Sequence, residues 1–524
     1  MQSIRRTAVP GALLLALAGG GLLAARASTQ AAGGPLQAQA SALVPNQDEW
    51  SVFAWSLDRN QPLFAINADQ AIIPASNNKV YSAIWALAVL GPDYRFPTDV
   101  LITGPVQNGV LRGDVVVRGS GDPAFGYYEY DKDPLTSPRA MAAGLKRLGV
   151  RVVEGGVIAD PYIHDRQNYG PDWPRDTGNG AARYAPTVSG LPFNRNMLWV
   201  KMTPGVAPGF VREPDVPEIP IKNNSRGGGA NAYAVRKPDE DTIRIRGGGA
   251  GRFGVGAYEP AYLAGGALRQ ALREAGIEVR GALRIAQTPQ GAVLVHRHLS
   301  IPLVQMVPQL NRHSDNFFAE HLWKAAAAKA LGQGTYTGGG AASAVFFHDQ
   351  AGVGWGELWQ ADGSGLSAQN RSSAQGLVRA LIYAHKQPWS QPFHESMAIA
   401  GDRGGTMRRM FVGGPAQGNL HAKTGYINDV RTLSGYVKTA GGETVVFSFL
   451  YNGRNTSGAR GVQTNLGKEV LYLGAPGIWG LIFAYRRGRA VMPAVAVLAM
   501  GGLLLALFRA LLAGRALSPP SPGR

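Results

Sequence analysis

The sequence predicts an α/β protein. An antiparallel sheet flanked by helices is split by a large, mostly β insertion and followed by a single C-terminal transmembrane helix. Three observations carry this prediction. Alternating apolar segments pair as hairpins over 51–66 and 432–450, with helical apolar patterns between them. The texture turns to short strands rich in Gly, Pro, Asn and Arg after residue 93 and turns back near 290. An uncharged, mostly apolar run over 491–508 is about long enough to span a bilayer.

With 524 residues the chain exceeds one ordinary core, and 70 glycines with 34 prolines point to many turns and substantial β-structure. There is no cysteine. That excludes a disulfide framework, a thiolate nucleophile and Cys-ligated metal sites. The formal charge is +17, but three arginines lie in residues 1–27 and six in 476–524, leaving +8 for the region between. That excess suits a polyanionic envelope as well as nucleic acid, and no nucleic-acid motif accompanies it.

In chain order, residues 1–27 match a secretory signal. Arg5 and Arg6 precede an apolar stretch over 12–25, and Ala25-Arg26-Ala27 is a cleavage signal. Residues 28–46 are expected to be a flexible linker. A hairpin over 51–66 precedes Pro74-Ala75-Ser76-Asn77-Asn78-Lys79, which opens a helix carrying Val80, Ile84 and Leu87 on one face and stopping at Gly91-Pro92. Asn108-Gly109 marks a hairpin. Helices are expected over 140–148 and 263–275, and strands at 152–153, 156–158 and 197–202. The two Arg-Gly-Gly-Gly-Ala copies, at 226–230 and 246–250, lack a phosphate-loop ending and are assigned as turns. Further helices are expected from Ser314 to Leu331, over 373–385 and over 462–473.

The boundaries that follow are 47–93 and 290–474 for one α/β unit, with 94–289 inserted. Residues 475–489 would be a juxtamembrane linker, 490–512 the transmembrane helix and 513–524 a tail. Basic residues flank both ends of the apolar run, so the positive-inside rule is tied. The export signal breaks the tie and places 28–475 outside the cytoplasm, in the cell envelope or periplasm.

Ser76 and Lys79 are three apart at a helix start, so hydroxyl and amine can meet, and an amine can take a hydroxyl proton. Alone, the pair is better explained as a cap and a solvated charge. Two later signatures bear on it: Ser314-Asp315-Asn316 opening a helix, and Lys423-Thr424-Gly425 before the final hairpin. The ordered set Ser-x-x-Lys, Ser-x-Asn, Lys-Thr-Gly resembles that of penicillin-binding proteins and serine β-lactamases. The 238 residues between Ser76 and Ser314 demand a large insertion. The chain therefore resembles the class C low-molecular-mass penicillin-binding proteins, the D-alanyl-D-alanine carboxypeptidase/endopeptidase family. Gly119-Ser120-Gly121-Asp122-Pro123, Asp362-Gly363-Ser364-Gly365-Leu366-Ser367 and Gly404-Gly405-Thr406-Met407 support the likeness over roughly 45–474.

The resemblance implies a penicillin-binding, β-lactamase-like domain holding two inserted, mostly β domains. It implies a hydrolase of peptidoglycan stem peptides that β-lactams inhibit, working without cofactor or metal. Ser76 would attack the penultimate D-alanine carbonyl, with Lys79 as base, its basicity lowered by burial and by neighbouring cations including Lys423. Ser314 would relay the proton, and Asn316 would orient Lys79 and the substrate amide. Lys423 and Thr424 would hold the terminal carboxylate, and Gly425 would let substrate lie along the strand edge. The backbone N–H groups of Ser76 and Tyr426 would form the oxyanion hole. Asp160 looks like the family's aspartate for the free amine of the third peptide residue; a turn aspartate before Pro161 is the alternative. Glu357 and Asp362 are expected to be structural. His296, His298, His313 and His421 lack metal spacing. A β-lactamase-like hydrolase and a non-catalytic wall-binding protein of the same fold are the competing functions.

Overall fold

The computed structural model describes residues 34–174, 184–203, 209–226, 231–248 and 251–474. The expected export signal at 1–27, the apolar run at 490–512 with its flanks, and most of the two Arg-Gly-Gly-Gly-Ala copies expected to be turns lie outside the described residues. No helix among the described residues is long and apolar enough to cross a membrane.

The hairpin Trp50–Ser56/Gln61–Ile66 joins the C-terminal hairpin Val430–Lys438/Thr444–Asn452, because Trp50–Ser56 pairs antiparallel with Thr444–Asn452. Strands His421–Ile427 and Ala398–Ile399 complete a six-stranded sheet, so segments from both sides of the insertion are hydrogen-bonded into one body. The three helices Asn78–Leu90, Asn316–Leu331 and Ala374–His385 cover one face. In the first, residues 78–87 are all buried, as for a helix enclosed on every side. Its Trp85 meets Trp323 of the second edge-on at 6.0 Å. Burying side chains of this size contributes roughly 1.5–3 kcal/mol each. Gly91, at φ +92°, ends the Asn78–Leu90 helix where a side chain would be strained.

The opposite face carries the helices Thr456–Leu471 and Pro35–Leu43. The second corrects the expected linker over 28–46. Gln37 donates to Ala65 O (3.0 Å) and accepts from Ala65 N (2.9 Å), and Ala40 and Val44 are buried. The segment thus covers the free edge of Gln61–Ile66, which would otherwise present unpaired backbone groups.

Among the described residues, four sheets lie between the Asn78–Leu90 helix and the Leu303–Asn311 helix. The largest runs Leu283–Ile285, Val157–Asp160, Val115–Arg118, Pro97–Ile102, Val293–Leu299. The helices Thr136–Arg147 and Ala261–Glu274 share its core. Asn108 and Gly109, both at positive φ, make the predicted two-residue turn between Val106–Gln107 and Val110–Leu111. The boundary expected at 290 is too early. Val293–Leu299 pairs antiparallel with Pro97–Ile102, so the inserted sheet closes only at Leu299, with its first and last strands side by side.

Candidate active site

Ser76 lies in a single 3-10 turn, Ala75–Asn77, that runs directly into the Asn78–Leu90 helix. The N-cap positions of the turn and the helix are Pro74 and Asn77, so Ser76 stands at neither of them. The turn is tied to the sheet. Thr432 Oγ1 donates to Pro74 O (2.9 Å), and Asn77 Nδ2 donates to Ser434 Oγ (2.6 Å). Ala75 is held at φ +45°, a left-handed conformation costly for a residue with a side chain. It turns the Ser76 hydroxyl into the cleft.

Lys79 is fully buried, and its Nζ has three partners. It donates to Asn316 Oδ1 (2.6 Å) and to Ser364 O (2.6 Å), and stands 3.0 Å from Ser76 Oγ. The Asn316 oxygen is identified by its own amide, which donates to Tyr184 O (2.6 Å). Two partners can only accept, and only the serine hydroxyl can donate. A neutral amine has two N–H bonds and one lone pair. In its neutral form the amine would give both N–H bonds to those acceptors and keep its lone pair for the Ser76 hydroxyl. Burial lowers the Lys79 pKa to about 8, against an opposing pull from Asp362, Glu320 and Asp315. Burial is the leading cause for both lysines. The repulsion between the two lysines bears on Lys423, whose pKa falls well below the ordinary lysine value, first by burial and then by Lys79.

Asp315 caps the Asn316–Leu331 helix by accepting from Phe317 N and Phe318 N. Ser314, just before it, sits at φ +60° and receives Lys423 Nζ at 2.8 Å. Lys423 also donates to Thr424 O at 2.6 Å. Ser76, Ser314, Asn316, Thr424, Gly425 and Tyr426 line one cleft, together with Tyr184, Thr406, Arg431 and Arg460. The strand carrying Lys423 passes close to the Ser76 turn. A Cβ at Gly425 would lie 2.0 Å from Thr432 Oγ1 and 3.0 Å from Ser76 N, so only glycine fits.

Asp160 is not among the residues lining this cleft. Its carboxylate is buried and accepts from Tyr162 N, Thr288 N and Thr288 Oγ1. Glu357 receives Gln375 and Arg379, and Asp362 accepts from Gly365 N, Ser367 N, Asn370 Nδ2 and Trp173 Nε1. Among the described residues no cluster of His, Asp or Glu is arranged to hold a metal.

Glu320 is a residue that motif reading missed. It is fully buried one turn beyond Asn316 and accepts from Gly363 N (3.1 Å) and Ser364 N (2.6 Å). Burial raises its pKa to about 8. Its signal was the one acid on that helix, four residues after a motif asparagine.

Comparison with known proteins agrees with this geometry. A family model described as the D-Ala-D-Ala carboxypeptidase 3 (S13) family matches residues 36–468. The D-alanyl-D-alanine carboxypeptidase of Actinomadura sp. (strain R39) is 32% identical over 434 residues, 77% of each chain. The D-alanyl-D-alanine carboxypeptidase DacB of Haemophilus influenzae is 27% identical over 428 residues, 79% of this chain and 87% of the relative. The crystal structure of penicillin binding protein 4 (dacB) from Haemophilus influenzae superposes with a TM-score of 0.70 at 24% identity, covering 83% of this chain and 99% of that one. The same protein complexed with a β-lactam superposes at 0.66. With its family model spanning nearly the whole described region, and a relative this similar over three quarters of its length, the chain belongs to the D-Ala-D-Ala carboxypeptidase 3 (S13) family.

Proposed function

We propose that the protein is a serine-type D-Ala-D-Ala carboxypeptidase/endopeptidase that cleaves peptidoglycan stem peptides through an acyl-enzyme on Ser76. The observation that carries this is the Lys79 amine, held by two obligate acceptors with its Nζ 3.0 Å from Ser76 Oγ. Ser76 Oγ attacks the penultimate D-alanine carbonyl while its proton passes to Lys79. The developing oxyanion lies against the N–H groups of Ser76 and Tyr426, each worth about 3 kcal/mol in such a hole. Lys423, in contact with Ser314 Oγ, supports transfer of a proton through that hydroxyl to the leaving amine. The C–N bond breaks, free D-alanine leaves, and water hydrolyses the ester. Lys423 and Thr424 bind the terminal carboxylate, and Gly425 leaves the strand edge open to the peptide.

The catalytic body in this reading is 47–93 with the segment after the insertion up to 474. The exported chain is held at the membrane by the apolar run at 491–508, consistent with its flanking arginines. A chain ending at Gly474 tests that anchor: it should leave the membrane fraction, and unchanged association would remove the run from this role.

Incubation with a fluorescent penicillin tests the activity. Wild type should carry a covalent label and Ser76→Ala none. An unlabelled wild type would overturn the reading, and rapid loss of label would move it to a β-lactamase-like hydrolase. Release of D-alanine or of uncrosslinked muropeptides then separates carboxypeptidase from endopeptidase action.

A further inference from the structure

Asn194, Arg195 and Asn196 take consecutive left-handed backbone conformations, at φ 44°, 57° and 57°. Such a run in residues with side chains persists only where its surroundings over-determine it. Here they do: Asn194 N donates to Phe125 O, Asn196 Nδ2 to Thr187 O, and Ala257 N to Asn196 O, at 2.8–2.9 Å. The conformation sends Arg195 out of the inserted body and onto the helix carrying Asn316. The Arg195 guanidinium lies 5.1 Å from the Tyr127 ring and 5.2 Å from the Phe317 ring, within cation–π range of both. Its Nη2 meets Asp315 Oδ2 at 2.7 Å, with both side chains less than a fifth exposed.

Asp315 divides its oxygens. Oδ1 accepts the helix N–H groups of Phe317 and Phe318, and Oδ2 accepts Arg195. Its two chain neighbours are the residues that touch the two lysines: Ser314 receives Lys423, and Asn316 receives Lys79. Asn316 is also held by Tyr184 O, from the same inserted region.

We propose that Arg195 is a positioning residue for acylation: through Asp315, the inserted region fixes Ser314 and Asn316 in the orientations that serve Lys423 and Lys79. The insertion thereby takes part in assembling the catalytic centre as well as in any contact with substrate. This rests on the reading of Ser76 as nucleophile.

The test compares wild type, Arg195→Met, Arg195→Lys, Asp315→Asn and the double variant Arg195→Met/Asp315→Asn in full-length protein. Labelling by a fluorescent penicillin is resolved into a dissociation constant and an acylation rate. Arg195→Met should slow acylation about 10- to 100-fold, the scale of a displaced catalytic group, with little change in the dissociation constant. Arg195→Lys should recover part of the rate, and the double variant should be no slower than Arg195→Met. With its arginine gone, Asp315 faces Lys79 unpaired, so the ascending limb of the acylation pH profile should move to higher pH in Arg195→Met. In Asp315→Asn, which keeps a capping side chain, the limb should move to lower pH. Arg269→Met serves as control, because Arg269–Glu218 is an inserted ion pair of similar exposure far from the motif in sequence. Equal slowing in Arg269→Met and Arg195→Met at equal loss of Tm would reduce the role to general stability and overturn the proposal. A wild-type rate in Arg195→Met overturns it too. Should Arg195→Met fail to fold, Asp315→Asn decides: an unchanged rate and pH limb overturn the proposal. An unlabelled wild type overturns the Ser76 reading, and this inference with it.

Discussion

Asn316 and Glu320 stand one turn apart on the same helix and hold Lys79 by different routes. Asn316 Oδ1 accepts from Lys79 Nζ directly. Glu320 accepts from the backbone of Gly363 and Ser364, which turns the Ser364 carbonyl onto the same nitrogen. One helix face thus sets two of the three contacts of the base. Glu320→Ala would leave two buried N–H groups without acceptors, each costing about 1–3 kcal/mol. The variant should lose several degrees of Tm and acylate at least about tenfold more slowly, because the Ser364 carbonyl is no longer held. A penicillin acylation rate equal to wild type would show that Ser364 O keeps its place unaided.

The pH dependence of acylation follows from the Lys79 pKa of about 8. With the neutral amine as the proposed base, the rate should rise as pH climbs through that region and level off above it. Ionised Glu320 raises the Lys79 pKa, and the two titrate close together, so the limb reports the pair. Glu320→Gln removes the negative charge and should move the limb to lower pH. Stability carries the same linkage with two signs. Glu320, raised from 4.5 to about 8, takes away stability as pH rises through that interval. Lys79, lowered from 10.5 to about 8, returns stability as pH rises between those values. Urea unfolding across pH 5–10 measures both.

Gly425→Ala should abolish useful turnover. The new methyl would lie 2.0 Å from Thr432 Oγ1 and press on Ser76 N, a proposed oxyanion donor. The two strands cannot separate without breaking the ladder between Gly425 and Thr432. A loss of about 100-fold or more in acylation with a near-native circular dichroism spectrum is the expected result.

Asp160→Asn separates two uses of that residue. Its carboxylate is already engaged by Tyr162 and Thr288, joining the end of Val157–Asp160 to the segment after Leu283–Ile285. The expected outcome is a loss of about 1–2 kcal/mol of stability with no change in selectivity for stem peptides bearing a free amine on the third residue. A selective rise in KM for those peptides alone would assign the carboxylate to the substrate.

The sequence by itself determined the order of the chemistry and the main sheet. Ser76 with Lys79, Ser314 with Asn316, and Lys423 with Gly425 are local spacings, and a three-residue spacing at a helix start is geometry before any fold exists. The hairpins over 51–66 and 432–450 were legible because alternation with a period of two needs no distant partner. Other features were decided only by tertiary contact. The Tyr336–Ala351 helix carries Gly338-Gly339-Gly340 near its start, a poor helix former, and holds because Trp323 and the Gln360 carbonyl pack where side chains would stand. The helix at 35–43 exists to cover a strand edge. The inserted sheet reaches Leu299 because its last strand needed the first as neighbour. Glu320 and Arg195 carry no motif; each matters through what it holds, Ser364 in one case and Asp315 in the other. Their partners lie 44 and 120 residues away, a distance that local pattern cannot cross and that packing closes.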